Sequence, residues 1–197
     1  MSQEVDRGRR QLLTVATTLT GAVGVAFAAV PFLASWKPSA RAKALGAPVE
    51  IDVGKLEPGA MLKIEWRGKP VFVVRRTPGM IEKLGAIDGL LADPGSERSR
   101  QPDYAKNQTR AVNPEYFVVL GVCTHLGCVP MSRFDPGDAE LGADWPGGFY
   151  CPCHGSKFDL SGRVYKGVPA PTNLEVPPYT FVDTGHVVIG VDQERIA

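Results

Sequence analysis

The residues of this chain that could do metal chemistry are concentrated in two short segments. All 4 cysteines and two of the 3 histidines lie there. The first box, residues 123–128, reads Cys-Thr-His-Leu-Gly-Cys, and the second box, residues 151–156, reads Cys-Pro-Cys-His-Gly-Ser. Each box offers a thiolate and an imidazole, together with one further cysteine. Such concentration predicts one metal centre with mixed sulfur and nitrogen ligands.

Four kinds of site compete for these side chains. A structural zinc ion takes four Cys or His ligands and would leave two of the cysteines without a role. A plant-type four-cysteine cluster would leave both histidines unused, and its Cys-x2-Cys step is missing. A disulfide framework alone would not need the histidines. A [2Fe–2S] cluster held by two cysteines on one iron and two histidines on the other accounts for the whole pattern best, and zinc is the main alternative.

The two boxes resemble those of the Rieske iron–sulfur family at almost every position. The resemblance implies one Rieske-type [2Fe–2S] cluster, with two thiolates on the inner iron and two imidazoles on the outer iron. It also implies a disulfide between the two remaining cysteines, which requires an oxidising compartment. The implied thiolate ligands are Cys123 and Cys151, the imidazole ligands are His125 and His154, and the disulfide pair is Cys128 and Cys153.

The resemblance also predicts which residues near the cluster tune its redox potential. In high-potential members of the family a serine hydroxyl bonds a bridging sulfide, and Ser156 matches that serine, although it could also be an ordinary turn residue. A tyrosine hydroxyl bonds a ligand sulfur in those members, whereas this chain has Phe158 at that position. We therefore expect a potential below that of tyrosine-bearing relatives but still high enough to oxidise quinol.

The N-terminus predicts a membrane anchor. Residues 11–36 contain no charged side chain and exceed the roughly 20 apolar residues that a bilayer requires. Arg9 and Arg10 directly precede this run and resemble a twin-arginine export signal, which predicts a bacterial protein with its cluster domain outside the cytoplasm. A cleaved signal peptide is the alternative, because residues 26–28 (Ala-Phe-Ala) would pass as a cleavage site. The long apolar run favours a retained anchor.

The charge balance and the order of apolar and polar segments predict how the rest of the chain is organised. The 22 basic and 21 acidic residues nearly balance, which argues against nucleic-acid binding. We predict a cytoplasmic N-terminus (1–10), a transmembrane anchor (11–36), a flexible tether (37–48) and a Rieske domain (49–197), with a cluster-binding subdomain at about 121–168. The tether is small and polar, and could be either a passive spacer or a hinge.

Short apolar runs separated by turn residues predict an all-β fold, an antiparallel Rieske-type sandwich with an inserted cluster-binding subdomain, plus one N-terminal transmembrane helix. A hairpin is expected around residues 67–70, and a helix at 79–91 capped by Thr77. Further strands are expected at 49–53, 116–122, 174–176, 179–183 and 187–191, and an irregular polar segment at 93–113. His186 is expected to be an ordinary surface histidine.

Two loops near the boxes complete the pattern. Residues 133–148 form a spacer longer than in many relatives, rich in Asp, Gly and Pro, and are predicted to be a surface loop of unknown role. Residues 167–171 resemble the proline loop that covers the cluster in the family, although an ordinary turn would also fit.

The whole pattern resembles the iron–sulfur subunit of a bacterial quinol–cytochrome c reductase. This implies a single-pass inner-membrane protein whose partners are a cytochrome b, a c-type cytochrome and quinol, and which is catalytic only as part of that complex. His154 would accept a hydrogen bond and a proton from quinol, and Leu126 would either contact the partner or shield the cluster. The alternatives are the small Rieske subunit of a periplasmic oxidase such as arsenite oxidase, and a non-redox zinc module.

Overall fold

The computed structural model describes residues 6–192, which form two compact units divided between residues 44 and 45. Residues 1–5 of the predicted cytoplasmic segment and 193–197 of the predicted Rieske domain lie outside the described residues. The first unit is built on helix α1, Arg7–Ser35, whose N-cap Asp6 accepts hydrogen bonds from the Gly8 and Arg9 backbone amides. At about 1.5 Å per residue, this helix exceeds the roughly 30 Å hydrocarbon core of a bilayer.

Helix α1 is suited to a lipid environment by its length and because its threonine hydroxyls form hydrogen bonds within the helix. None of its side chains is buried within the protein. Its threonine hydroxyls do not need water, because each donates to the backbone carbonyl four residues earlier at 2.8 Å. These threonines are Thr14, Thr17, Thr18 and Thr20. The helix therefore has the properties expected of the predicted anchor.

A second, short helix follows within the predicted tether. Helix α2 covers Ala40–Leu45, and the Ser39 hydroxyl accepts from the Ala42 amide at its start. The tether is therefore not entirely irregular. Its role as a spacer or a hinge stays a prediction.

Within residues 45–192, the second unit contains three antiparallel three-stranded sheets. The strands are β1 (Val49–Asp52), β2 (Met61–Trp66), β3 (Lys69–Arg75), β4 (Tyr116–Leu120), β5 (Met131–Arg133), β6 (Gly148–Cys151), β7 (Ser156–Phe158), β8 (Tyr179–Phe181) and β9 (His186–Ile189). Their orders are β1-β9-β8, β2-β3-β4 and β5-β6-β7. Strand β4 is buried along its whole length and leads directly into the first box. The predicted all-β, antiparallel class is confirmed.

Turn chemistry accounts for the most accurately predicted elements. The β2–β3 hairpin closes through Arg67 and Gly68 alone, because Trp66 pairs with Lys69. Both turn residues have positive φ angles, of 53° and 71°, as a two-residue type I′ turn requires. Helix α3, Pro78–Ala86, begins as predicted with Thr77 as N-cap, whose hydroxyl accepts from the Met80 amide.

Two predicted elements are wrong in extent or in kind. Helix α3 ends at Ala86 rather than at residue 91, and a separate 3₁₀ turn covers Asp88–Leu90. The Arg163 guanidinium binds both the Leu84 carbonyl and the Asp88 carboxylate, so a tertiary contact spans the point where the helix ends. Residues 174–176 do not form a strand, because the Leu174 and Val176 amides donate to two unrelated loops, at Gly162 and Arg100.

The most unexpected feature of this unit is a group of fully buried arginines. Arg76, Arg110 and Arg163 are at most 1% exposed. All three side chains form hydrogen bonds to residues of the turn 159–163, which directly follows β7; Arg163 is itself part of this turn. Arg76 donates to the Ser161 hydroxyl, and Arg110 donates to the Ser161 carbonyl. Burial lowers the pKa of Arg76 and of Arg110 to about 10, so both remain charged at neutral pH.

The third arginine forms a buried ion pair. Arg163 Nε lies 2.8 Å from the Asp159 carboxylate, and both side chains are 0% exposed. The same carboxylate accepts from the Ser161 and Arg163 backbone amides. Burial raises the pKa of Asp159, and the neighbouring Arg163 opposes that rise. The pair therefore fixes the turn behind the second box at the cost of desolvating two charges.

Replacing Arg163 with methionine should lower the free energy of unfolding by about 3–5 kcal/mol, because the buried Asp159 carboxylate would lose its cation. Burial already places the pKa of Asp159 above its ordinary value, and it would rise further in the variant. The deficit should therefore shrink as the pH falls and Asp159 becomes neutral. Denaturant unfolding at neutral and acidic pH measures both effects. Arg100→Met is the matched control, because that side chain is 86% exposed and lies 3.8 Å from Glu175; an equal loss in both variants would contradict the account.

Candidate metal centre

The first box is a tight loop immediately after the buried strand β4. The Cys123 amide donates to the Cys128 carbonyl at 2.8 Å, and the Gly127 amide donates to the Cys123 carbonyl at 2.9 Å. Gly127 has a φ of 86°, a conformation that favours glycine. The loop therefore buries Cys123, which is 2% exposed, while Leu126 stands out at 71% exposed.

The second box repeats this geometry at the end of the β6–β7 hairpin. The Gly155 amide donates to the Cys151 carbonyl at 2.9 Å, and Gly155 has a φ of 76°. Cys151 and Ser156 face each other as the last pair of the ladder. Like Cys123, Cys151 is 2% exposed. Each box is thus the same turn, with a buried cysteine at its start and a left-handed glycine four residues later.

A disulfide joins the two boxes, as predicted. The Cys128 and Cys153 sulfur atoms are bonded, and their Cα atoms are 6.7 Å apart. The sulfur of Cys151 lies within 4.8 Å of both of these sulfur atoms. The disulfide sulfurs are not thiolates and cannot replace the free cysteines as ligands. The free thiols available to a metal are therefore those of Cys123 and Cys151.

The two histidines of the boxes come together at the same place. Their ring centroids are 4.7 Å apart and the rings are nearly perpendicular, at 88°. His154 is exposed and His125 is partly buried. The Nδ1 atom of His125 is buried and has no hydrogen-bond partner among the described residues. Since buried polar atoms are almost always paired, this orphaned nitrogen fits a metal ligand.

The buried thiols fit the same group. Burial raises the pKa of the Cys123 thiol, and the adjacent Cys151 thiol adds to the rise, while the His125 backbone amide and the Ser156 hydroxyl oppose it. Two thiols crowded together away from water are unfavourable as thiolates unless a cation balances their charge. With two buried sulfurs and two imidazoles, the residues present fit a [2Fe–2S] cluster of the Rieske type.

Ser156 connects this centre to the proline loop. The side chain is 0% exposed, and its Oγ accepts from the Ala170 amide at 3.0 Å, which leaves its proton free to donate towards the centre. On the other box, the Thr124 hydroxyl donates to the Thr172 carbonyl at 2.7 Å. Ala170 of the proline loop is thus bonded to the second box, and Thr172, one residue past this loop, is bonded to the first. The Thr124 contact could not be predicted, because a threonine inside a ligand box carries no signal of its own.

The third histidine lies elsewhere, as expected. His186 is 43% exposed in its side chain and pairs with Asp183 at 2.8 Å. This exposed carboxylate raises the pKa of His186, mainly through the hydrogen bond. It has no part in the centre and provides a control for the other two.

Phe158 is the residue whose replacement tests the tuning of the centre. It is 0% exposed, lies in β7 two residues after Ser156, and would gain a hydroxyl in Phe158→Tyr. A hydrogen bond to a ligand sulfur stabilises the more negative, reduced state, so the midpoint potential should rise. Redox titration followed by electron paramagnetic resonance measures the change, with Phe149→Tyr on the neighbouring strand as the control. An unchanged or lower potential in Phe158→Tyr would refute the tuning role.

Comparison with known proteins covers both units of the chain. Residues 94–179 match the family described as the Rieske [2Fe-2S] domain. Residues 1–39 match the family described as the ubiquinol–cytochrome c reductase Fe-S subunit TAT signal. The match agrees with the predicted twin-arginine motif.

Relatives are similar over nearly the whole length. The ubiquinol-cytochrome c reductase iron-sulfur subunit of Allochromatium vinosum is 55% identical over 98% of this chain and 93% of its own length. The same subunit of Blastochloris viridis is 45% identical, with 96% of each chain covered. A solved structure titled as a hyperthermophilic respiratory Complex III is 28% identical over 88% of this chain and 98% of that chain, with a TM-score of 0.47. On its sequence matches, this chain belongs to the family of Rieske iron–sulfur subunits of ubiquinol–cytochrome c reductase.

Proposed function

We propose that this chain accepts one electron from a quinol and passes it to a c-type cytochrome, within a complex that also contains a cytochrome b. The observation that carries the proposal is the pairing of two buried free thiols with two adjacent imidazoles, one of them exposed. Membership of the family of ubiquinol–cytochrome c reductase subunits indicates which electron-transfer reaction this site would serve. The cofactor is a Rieske [2Fe–2S] cluster, which takes up and releases one electron when bound.

We assign the ligands as the sequence predicts. Cys123 and Cys151 hold the inner iron, and His125 and His154 hold the outer iron. The burial of the two thiols and the exposure of His154 support this division, because the imidazole side of the site faces solvent and the thiolate side faces the core.

The role of His154 follows from its exposure. Its outward ring nitrogen can accept a hydrogen bond from a quinol hydroxyl and then take the proton when the quinol is oxidised. The disulfide at Cys153 and the hydrogen bond from the Ala170 amide to Ser156 tie down the backbone on both sides of His154, which supports its role as a positioned acceptor. Leu126, beside His125 in the first box, is the proposed apolar contact with the partner cytochrome.

The proposed location is the bacterial inner membrane, with the N-terminus in the cytoplasm and the second unit in the periplasm. The apolar helix α1 and the export-signal match fit a membrane-anchored subunit. The orientation is inferred from the twin arginines before the helix and from the disulfide, which requires an oxidising compartment. The tether would let the second unit move between its electron donor and its acceptor.

The experiment is a rapid-mixing study of the intact complex in native membranes. After quinol is added, the electron paramagnetic resonance signal of the reduced cluster should appear before the c-type cytochrome is reduced. The chain should also remain in the membrane fraction after a high-salt wash. Release of the chain by salt, together with cluster reduction that does not require quinol, would favour the subunit of a periplasmic oxidase instead.

A further inference from the structure

The long connection from the end of β5 to the start of β6, residues 133–148, has no part in the function proposed above. Its sequence, rich in Asp, Gly and Pro, predicts a surface loop, and in the structure it folds back on itself around Trp145. That side chain is 4% exposed. Its Nε1 donates to the Arg133 carbonyl at 2.8 Å, and its carbonyl accepts from the Gly137 amide at 2.9 Å. Arg133 in turn lies 2.7 Å from Glu140.

Trp145 also contacts a residue outside its own loop. Its ring stacks on Tyr165, with centroids 5.8 Å apart and planes inclined by 29°. Tyr165 is placed by strand β7, since its amide donates to the carbonyl of Lys157, the residue directly after the second box, at 3.1 Å. It also forms a β-bridge with Leu91. The stacked pair thus joins the 133–148 loop to the strand that carries Ser156.

Tyr165 stands at the start of the proline loop. Residues 167–171 begin two positions later, and their far end is tied to the boxes through Ala170 and through Thr172, the next residue after the loop. The proline loop is therefore attached to the rest of the unit near both of its ends. The far attachment is a pair of hydrogen bonds to Ser156 and Thr124, and the near attachment includes the stack of Tyr165 on Trp145.

We propose that Trp145 is a positioning residue that, through Tyr165, holds the proline loop over the metal centre and slows the loss of the cluster. The proposal rests on the proposed ligand set. Removing the indole would take away the stacking contact at the near attachment, where the backbone pairing of Tyr165 with Lys157 and Leu91 remains, and would open a space beside a small cavity of about 230 Å³ that Tyr165, Lys157 and the loop already line. Water and chelators would then reach the thiolate side of the site more often.

The test uses the full-length protein in its membrane complex. Trp145→Ala should lose the visible absorption of the cluster about tenfold faster after a chelator is added, as expected when a stacked aromatic pair and its buried area are removed. Trp145→Phe keeps a stacking ring and should remain within about threefold of the parent. Tyr165→Phe is the matched control, because the Tyr165 hydroxyl is buried without a partner among the described residues, and its removal should not accelerate the loss.

A second pair of variants keeps the test decisive if Trp145→Ala assembles poorly. Tyr165→Leu removes the same stack from the other side and leaves the Trp145–Arg133 hydrogen bond in place. It should accelerate cluster loss as Trp145→Ala does, and the double variant should be no faster than either single one. Parent-like loss in both single variants, additive effects in the double variant, or equal loss in Trp145→Phe and Trp145→Ala would overturn the proposal. A protein that never contains an iron–sulfur cluster would instead overturn the ligand assignment.

Discussion

Replacing His154 with alanine should abolish the electron paramagnetic resonance signal of the reduced cluster and reduce quinol–cytochrome c reductase turnover to background. The outer iron would lose one of its two proposed imidazole ligands, and the histidine outside the boxes, His186, pairs with Asp183 at the surface. The ring is exposed, so its removal leaves no cavity in the core. The loss would therefore report on ligation and not on folding.

His186→Ala is the control for this variant. His186 contacts Asp183 at the surface and lies outside both boxes. Membranes that contain this variant should give the parental signal and turnover. If His154→Ala retained a normal spectrum, the assignment of the outer iron to this residue would be wrong.

Replacing Cys128 with serine should leave the ligands in place but make the cluster labile and lower its potential. The disulfide closes a chain segment with a sequence separation of 25 residues. Loss of such a cross-link costs about 3.5 kcal/mol in the chain-entropy model. The effect should fall on the centre itself, because the bond joins the two loops that carry the proposed ligands.

The second cysteine provides the matched control. Cys153→Ser should behave like Cys128→Ser, and the double variant should be no worse than either single variant, because all three lack the same bond. The measurements are thermal loss of the visible absorption and a redox titration. Parental stability and potential in the double variant would remove the disulfide from the account.

The sequence was most informative where local chemistry decides the structure. The β2–β3 turn, the Thr77 cap and the repeated loop of the two boxes each depend on residues within about six positions of one another. The ligand boxes were recognisable because cysteine and histidine occur almost nowhere else in the chain. The disulfide was implied by the resemblance and is present in the structure.

The sequence was least informative where distant segments meet. Residues 93–113 look like a polar, solvated loop, yet Ser96 and Arg110 are completely buried. The Asn173 amide group donates to the Asp93 carbonyl and to the Ser96 hydroxyl, and these contacts cross more than 70 positions of the chain. The periodicity of apolar residues along the sequence does not predict contacts between such distant segments. For the same reason, the helix was predicted to extend beyond Ala86 and residues 174–176 were wrongly predicted to form a strand.

The buried arginines and the Trp145–Tyr165 stack have the same structural effect. Both fix segments that flank the second box, the turn of residues 159–163 in the first case and the start of the proline loop in the second. A redox site benefits when its surroundings do not rearrange as the charge changes, because rigid dipoles and fixed ligands keep the two redox states alike in structure. The polar interior of this unit is therefore part of the support of the centre.

Metal and sulfide analysis of the native, membrane-extracted protein distinguishes an iron–sulfur centre from a zinc site. We expect iron and inorganic sulfide in equal amounts, about two of each per chain, with a rhombic paramagnetic signal on reduction. Stoichiometric zinc without inorganic sulfide, in a colourless protein with no such signal, would contradict this expectation and would make the paired boxes a structural zinc site.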